Sequence, residues 1–121
     1  MTGLEISEHN GNGFKALVNF EGWRVAILNY FEWYSQEKIH ILEKHLYTDE
    51  VFVLLEGTAV LIIGEELTQY KMEPNKLYNV KKGTYHAVCM KPDAKMLLVE
   101  NEGTGRDNSE YLKADIKVDF E

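Results

Sequence analysis

Four side chains in this sequence have the types and the spacing to meet at a divalent metal: Glu43, His45, Glu50 and His86. Imidazole nitrogens and carboxylate oxygens are ordinary donors to Mn(II), Fe(II), Ni(II) or Zn(II). Two His with one carboxylate leave coordination positions open for a substrate. Three of the four lie in the stretch Glu-Lys-His-Leu-Tyr-Thr-Asp-Glu-Val-Phe-Val-Leu-Leu-Glu-Gly, residues 43–57. The fourth follows His45 by forty-one positions, at the end of Lys81-Lys82-Gly83-Thr84-Tyr85-His86. Residues so far apart can share a metal only if separate strands carry them into one interior.

Strand periodicity supports that. In Lys38–His45 a period of two puts Ile39, Ile41, Glu43 and His45 on one face, and His40, Leu42 and Lys44 on the other. Glu43 and His45 then address one cavity, and His40 does not join them. Tyr47-Thr48-Asp49 makes a turn in which Asp49 reads as structural. Glu50 opens a strand whose two faces, Phe52 and Leu54 against Val51, Val53 and Leu55, are both apolar. One face can fill a barrel. The other needs cover, and a homodimer is the economical expectation. Thr58–Ile63 repeats the two-sided pattern. Further on, His86, Val88 and Met90 share a face, with Tyr85 turned away from it.

The rest of the chain reads as short strands punctuated by turns. His9–Gly13 is turn material, and Phe14–Phe20 and Trp23–Tyr30 are strands parted by Glu21-Gly22. Phe31, Trp33 and Tyr34 form either an aromatic wall for a ligand or a hydrophobic rim or subunit contact. Gly64-Glu65 and Glu73-Pro74-Asn75 are turns, with strands expected at 67–72, 77–80, 84–90 and 96–100. Asp107 or Asn108 can cap a short helix beginning near Ser109-Glu110, and the tail 111–121 alternates as a final strand would. Nine or ten strands at this spacing predict an all-β antiparallel sandwich or barrel.

At 121 residues the chain is expected to be one domain able to bury its own core. A net charge of −7 with scattered basic residues excludes a nucleic-acid or anionic-membrane surface. Nor is there room for an attached helix-turn-helix. The one cysteine, Cys89, sits in an apolar run and reads as a buried structural thiol. The first residues, Met1-Thr2-Gly3-Leu4-Glu5, lack the basic and apolar regions of a signal peptide, and no run approaches a membrane span. A cytoplasmic protein is expected.

These motifs resemble the cupin superfamily, whose first motif ends His-x-His, three or four residues, Glu, six residues, Gly. Here His45, Glu50 and Gly57 keep that spacing, and Gly83 and His86 match the centre of the second motif, Pro-x-Gly, two residues, His. The resemblance covers about Ile39 to Val99, with motif 1 at about 43–57 and motif 2 at about 81–90. It implies a small single-domain cupin over residues 1–121: a double-stranded β-helix (jelly-roll) barrel, here with a short C-terminal helix. It also implies His45, Glu50 and His86 as metal ligands. Glu43 stands where the family has its first histidine, and would serve as substitute ligand or as catalytic base. Lys81 replaces the Pro of the second motif, Met90 its closing Asn, and Glu37 falls at the leading Gly. Two functions follow. One is a metal-dependent isomerase, lyase or oxygenase on a small polar metabolite such as a sugar or sugar acid. The other is a metal-free cupin dimer that holds a small ligand or has a structural role without turnover.

Overall fold

The computed structural model describes residues 3–121; Met1 and Thr2, part of the stretch read for a leader, lie outside the described residues. Ten strands run in chain order: β1 Gly13–Phe20, β2 Trp23–Asn29, β3 Ile41–His45, β4 Glu50–Glu56, β5 Ala59–Ile63, β6 Thr68–Lys71, β7 Tyr78–Val80, β8 His86–Met90, β9 Lys95–Asn101 and β10 Ser109–Lys113. They form two five-stranded sheets, β1-β2-β9-β4-β7 and β10-β3-β8-β5-β6, with every strand pairing antiparallel. Crossing between sheets at nearly every connection places β4 and β8, the strands that open on Glu50 and His86, on opposite walls of one interior.

That interior is hydrocarbon over most of its length. Leu28, Phe52, Leu54, Leu61, Met90, Met96 and Leu98 are buried in a single cluster contributed by both sheets. At this closed end Gly57 has φ +83°, and a β-carbon there would overlap the Asp93 carbonyl. Only glycine fits such a position. The motif glycine is therefore a packing requirement of the turn into β5.

A second apolar cluster lies outside the barrel. Val60, Ile62, Ala87 and Cys89 point outward from β5 and β8 and are covered by Ile39, Leu42 and the tail residues Ile116 and Val118. Gln36 and Gln69 donate to the carbonyls of Val118 and Lys117 and hold the tail down. The two-sided strand at 58–63 thus finds its cover within its own chain. Burial also pushes the Cys89 thiol up to about 11, consistent with a structural thiol.

The short helix expected near Ser109-Glu110 is absent. A single 3-10 turn, Arg106–Asn108, stands there, and Ser109–Lys113 is strand β10. The Asn108 side chain turns back to accept from Gly105 N and donate to Gly103 O, while β10 pairs along all of β3. Pairing with a whole strand outweighs what a short helix would gain from one cap. The tail beyond Lys113 is irregular, so the final strand expected over 111–121 reaches only its first three residues. Residues 38–40 also lie outside β3. Among the described residues no helix is long and apolar enough to cross a membrane.

Candidate functional site

The polar end of the interior is assembled by strand ends. His45 closes β3, Glu50 opens β4 and His86 opens β8, while β3–β8 pairing sets Glu43 opposite His86. The loops behind them are tied together: Gly83 N donates to His45 O at 2.7 Å, and Asp49 accepts from Lys82 N at 2.9 Å and from the Asn79 amide at 3.1 Å. Those bonds, the Lys82 one foremost, hold the Asp49 carboxyl below its usual range. Asp49 therefore clips the turn before Glu50 to the loop before His86, in keeping with a structural part.

Both imidazoles converge on one oxygen. His45 Nε2 lies 3.0 Å and His86 Nε2 3.1 Å from Glu50 Oε1. Their other nitrogens are anchored: His45 Nδ1 to Ser109 Oγ at 2.8 Å and His86 Nδ1 to the Thr84 carbonyl at 3.0 Å. The rings meet edge to face at 5.2 Å, and Phe52 packs against His86. Glu43 is more open, with its Oε1 3.9 Å from His45 Nε2. Ligand-capable atoms of Glu43, His45 and His86 all lie within 4.8 Å of one another. The four residues picked from the sequence are thus brought together.

A carbonyl can only accept, so His86 Nδ1 donates to Thr84 O, and Nε2 is the nitrogen left facing Glu50. Burial alone would raise the Glu50 carboxyl, but hydrogen bonds and charge from both imidazoles override it and hold the group at about 2. For His45 burial opposes the charged ring, yet the Glu50 bond and the surrounding carboxylates keep it above its ordinary value. Glu43 moves up because of its partial burial, against the pull of the imidazoles.

Beside this cluster lies a row that sequence reasoning missed. Arg24 is paired with Glu100 across β2 and β9, and β4–β9 register continues the row to Glu50. Arg24 Nη2 reaches Glu100 Oε2 at 3.2 Å. Burial and the Glu50 charge push Glu100 up to about 7, against the pull of the guanidinium. The same guanidinium donates to the carbonyls of Glu102 and Thr104, and its Phe14 contact is a cation–π one. It thereby pins the strap 102–108 that carries the chain from one sheet to the other and delivers Ser109 to His45.

Arg24, Glu43, His45, Glu50, His86 and Glu100 line one cavity of about 470 Å³, which also takes in Trp33 and Tyr34. That volume lies in the range usual for small-molecule sites. Burial, and then the charges of Glu43 and Glu50, raise the Tyr34 phenol and keep it a hydrogen-bond donor. His40 sits at the rim, edge-on to Trp33, its Nδ1 engaged by Lys38 O. Tyr85 packs with the outer cluster, as parity requires, and Tyr78 against the hydrocarbon core.

No protein-family model matches the chain, and no curated protein matches it. Solved structures do. A cupin-2 domain containing protein from Shewanella frigidimarina aligns at 18% identity over 78% of this chain and 85% of that one, TM-score 0.57. A variant of Streptomyces PAC13 with uridine aligns at 9% identity over 94% and 93%, TM-score 0.69. KdgF from Halomonas sp. aligns at 13% identity over 75% and 78%, TM-score 0.58. At identities this low the likeness is one of fold, and with two antiparallel sheets enclosing a His/Glu cluster, that fold is the cupin fold.

Proposed function

We propose that this chain is a divalent-metal-binding cupin that acts on or binds a small polar metabolite such as a sugar or sugar acid. His45, His86 and Glu50 would hold the ion, with Glu43 as a further oxygen ligand or as the base. One observation carries the reading: two imidazoles anchored through Nδ1 turn their Nε2 atoms to a single carboxylate oxygen. Fixing the far nitrogen of each ligand His by a hydrogen bond is the usual support of a metal site. Two His with carboxylates suit Mn(II), Fe(II), Ni(II) or Zn(II). Such an ion would polarise a carbonyl or acidify a bound water.

The chain's own residues supply the rest. Glu43 stands partly exposed beside the imidazoles, placed to take a proton from a bound ligand. The Tyr34 hydroxyl can donate to a ligand oxygen, and buried Phe52 shields one side of His86 from water. A second reading, a metal-free cupin that holds a ligand or has a structural role without turnover, draws on the same bonds, since Glu50 satisfies both imidazoles unaided. We read the protein as a homodimer, through the outer face of the first sheet, where Leu55 is exposed. A reducing cytoplasm suits its single buried thiol.

Elemental analysis of untagged protein separates the two functional readings. Metal near one ion per chain, lost in both His45→Ala and His86→Ala, supports the first. Less than about a tenth of an ion per chain after reconstitution with several divalent ions overturns it. Light scattering that returns a monomer mass at micromolar concentration overturns the dimer.

A further inference from the structure

The chain has two arginines among its thirteen basic residues, Arg24 and Arg106, and both line the cavity that holds the His/Glu cluster; no lysine does. Guanidinium is the cation suited to planar, two-point recognition of an oxyanion, whereas an ammonium acts as a point charge. Arg24 makes one ion pair, to Glu100, and Arg106 makes none within 4.0 Å among the described residues. The same cavity also carries the carboxylates Glu43, Glu50 and Glu100, of which Glu100 is the one paired to a guanidinium.

Two polar atoms of the same wall lack partners. Arg24 Nε and Thr104 Oγ1 are buried without a hydrogen bond, although Arg24 Nη2 and the Thr104 carbonyl bond each other at 3.1 Å. Thr104 is nine-tenths buried. Natural interiors leave few such groups unpaired, and those that remain call for an explanation. One is a donor nitrogen and the other a hydroxyl that turns on one bond, and both belong to residues that line the cavity.

We propose that this wall is a carboxylate-binding subsite, in which Arg24, Arg106 and Thr104 hold the acid group of a small hydroxylated acid whose other end reaches the His/Glu cluster. The proposal rests on reading the cavity as the ligand site, and it narrows the substrate class from sugars in general to sugar acids. Register fixes the layout, with Arg24, Glu100 and Glu50 in one row across β2, β9 and β4. A ligand held at Arg24 is one carboxylate away from the imidazoles. Glu100 is the counter-ion that offsets the partial burial of Arg24.

Two arginines mean two Nε–H resonances, which makes the test direct. Protein labelled with nitrogen-15 is titrated with gluconate and sorbitol, then with glucuronate and glucose, in matched sodium chloride, once metal-free and once loaded with Zn(II). The acids are expected to move both Nε–H resonances and the neutral partners to move neither. Arg106→Gln is expected to weaken binding of the acid by about tenfold or more while leaving the fold intact, as befits loss of a charged hydrogen bond. Arg24→Lys, which keeps the charge but loses Nε and the bonds that pin residues 102–108, is expected to weaken binding of the acid likewise. The subsite is overturned if neither acid moves either resonance in both metal states, if each neutral partner binds as well as its acid, or if Arg106→Gln binds unchanged. Failure of the metal reading shows separately, as arginine shifts in protein that takes up no Zn(II).

Discussion

The inward residues of four strands change character from one end of the barrel to the other. Along β2 they run Arg24, Ala26, Leu28; along β4, Glu50, Phe52, Leu54; along β8, His86, Val88, Met90; along β9, read backwards, Glu100, Leu98, Met96. Leu28, Leu54 and Met96 form one row by register, and Arg24, Glu100 and Glu50 another. Strand geometry is the same in both rows, so the difference lies in side chains alone. The hydrocarbon row stabilises the barrel. The ionisable row costs desolvation, and a fold that keeps such groups buried at one shared end has concentrated its chemistry there.

The largest expected effect comes from the closed end. Leu54 is 1% exposed, and Leu54→Ala is expected to cost about 2–5 kcal/mol in urea unfolding. Protein that remains folded should still bind metal. If this variant lost metal and kept its stability, the division between the two ends would be wrong.

At the open end the balance reverses. Glu50→Gln keeps the shape but removes the charge that both imidazoles face, and is expected to abolish metal uptake while costing about 1–3 kcal/mol of stability. Metal content and urea midpoint, measured on one preparation, check both halves. Wild-type metal content in this variant would remove Glu50 from the ligand set.

Smaller still is the pH dependence of the metal-free protein. Glu100 is raised from 4.5 to about 7, so its contribution to stability is full below 4.5 and is lost as pH rises through about 7. His45, raised above 6.5, adds to the loss on the alkaline side. Glu50 runs the other way: depressed from 4.5 to about 2, it contributes above 4.5 and loses that contribution as pH falls through about 2. Stability should therefore peak near mildly acidic pH. Glu100→Gln should flatten the decline between 4.5 and about 7, a change read from urea midpoints across that window. An unchanged slope would mean that Glu100 ionises as an ordinary surface carboxylate.

The open end was legible in the sequence wherever its residues sit within one motif. His45, Glu50 and Gly57 keep a spacing that strand and turn geometry impose, and period two separates Tyr85 from His86. Arg24 and Glu100 carried no such signal. Each is one charged residue at a strand end, where solvated charges are common, and they meet only through a pairing seventy-six residues apart in the chain. Ser109 was misread for a related reason. Its neighbours Asp107 and Asn108 are good helix caps, and nothing local reveals that β3 offers a full strand edge. The strand bounds shifted by one to three residues where turns such as Gly64–Leu67 take up chain, Leu67 itself standing at φ +59°.

The central claim is that Glu50, His45 and His86 together hold a divalent ion. Calorimetric titration of the metal-free protein with Zn(II), repeated in two buffers of different ionisation heat, counts protons released per ion bound. We expect about one ion per chain with release of at least about one proton, because metal ligands bind deprotonated. Binding with no proton release, or no saturable binding at all, would contradict the account.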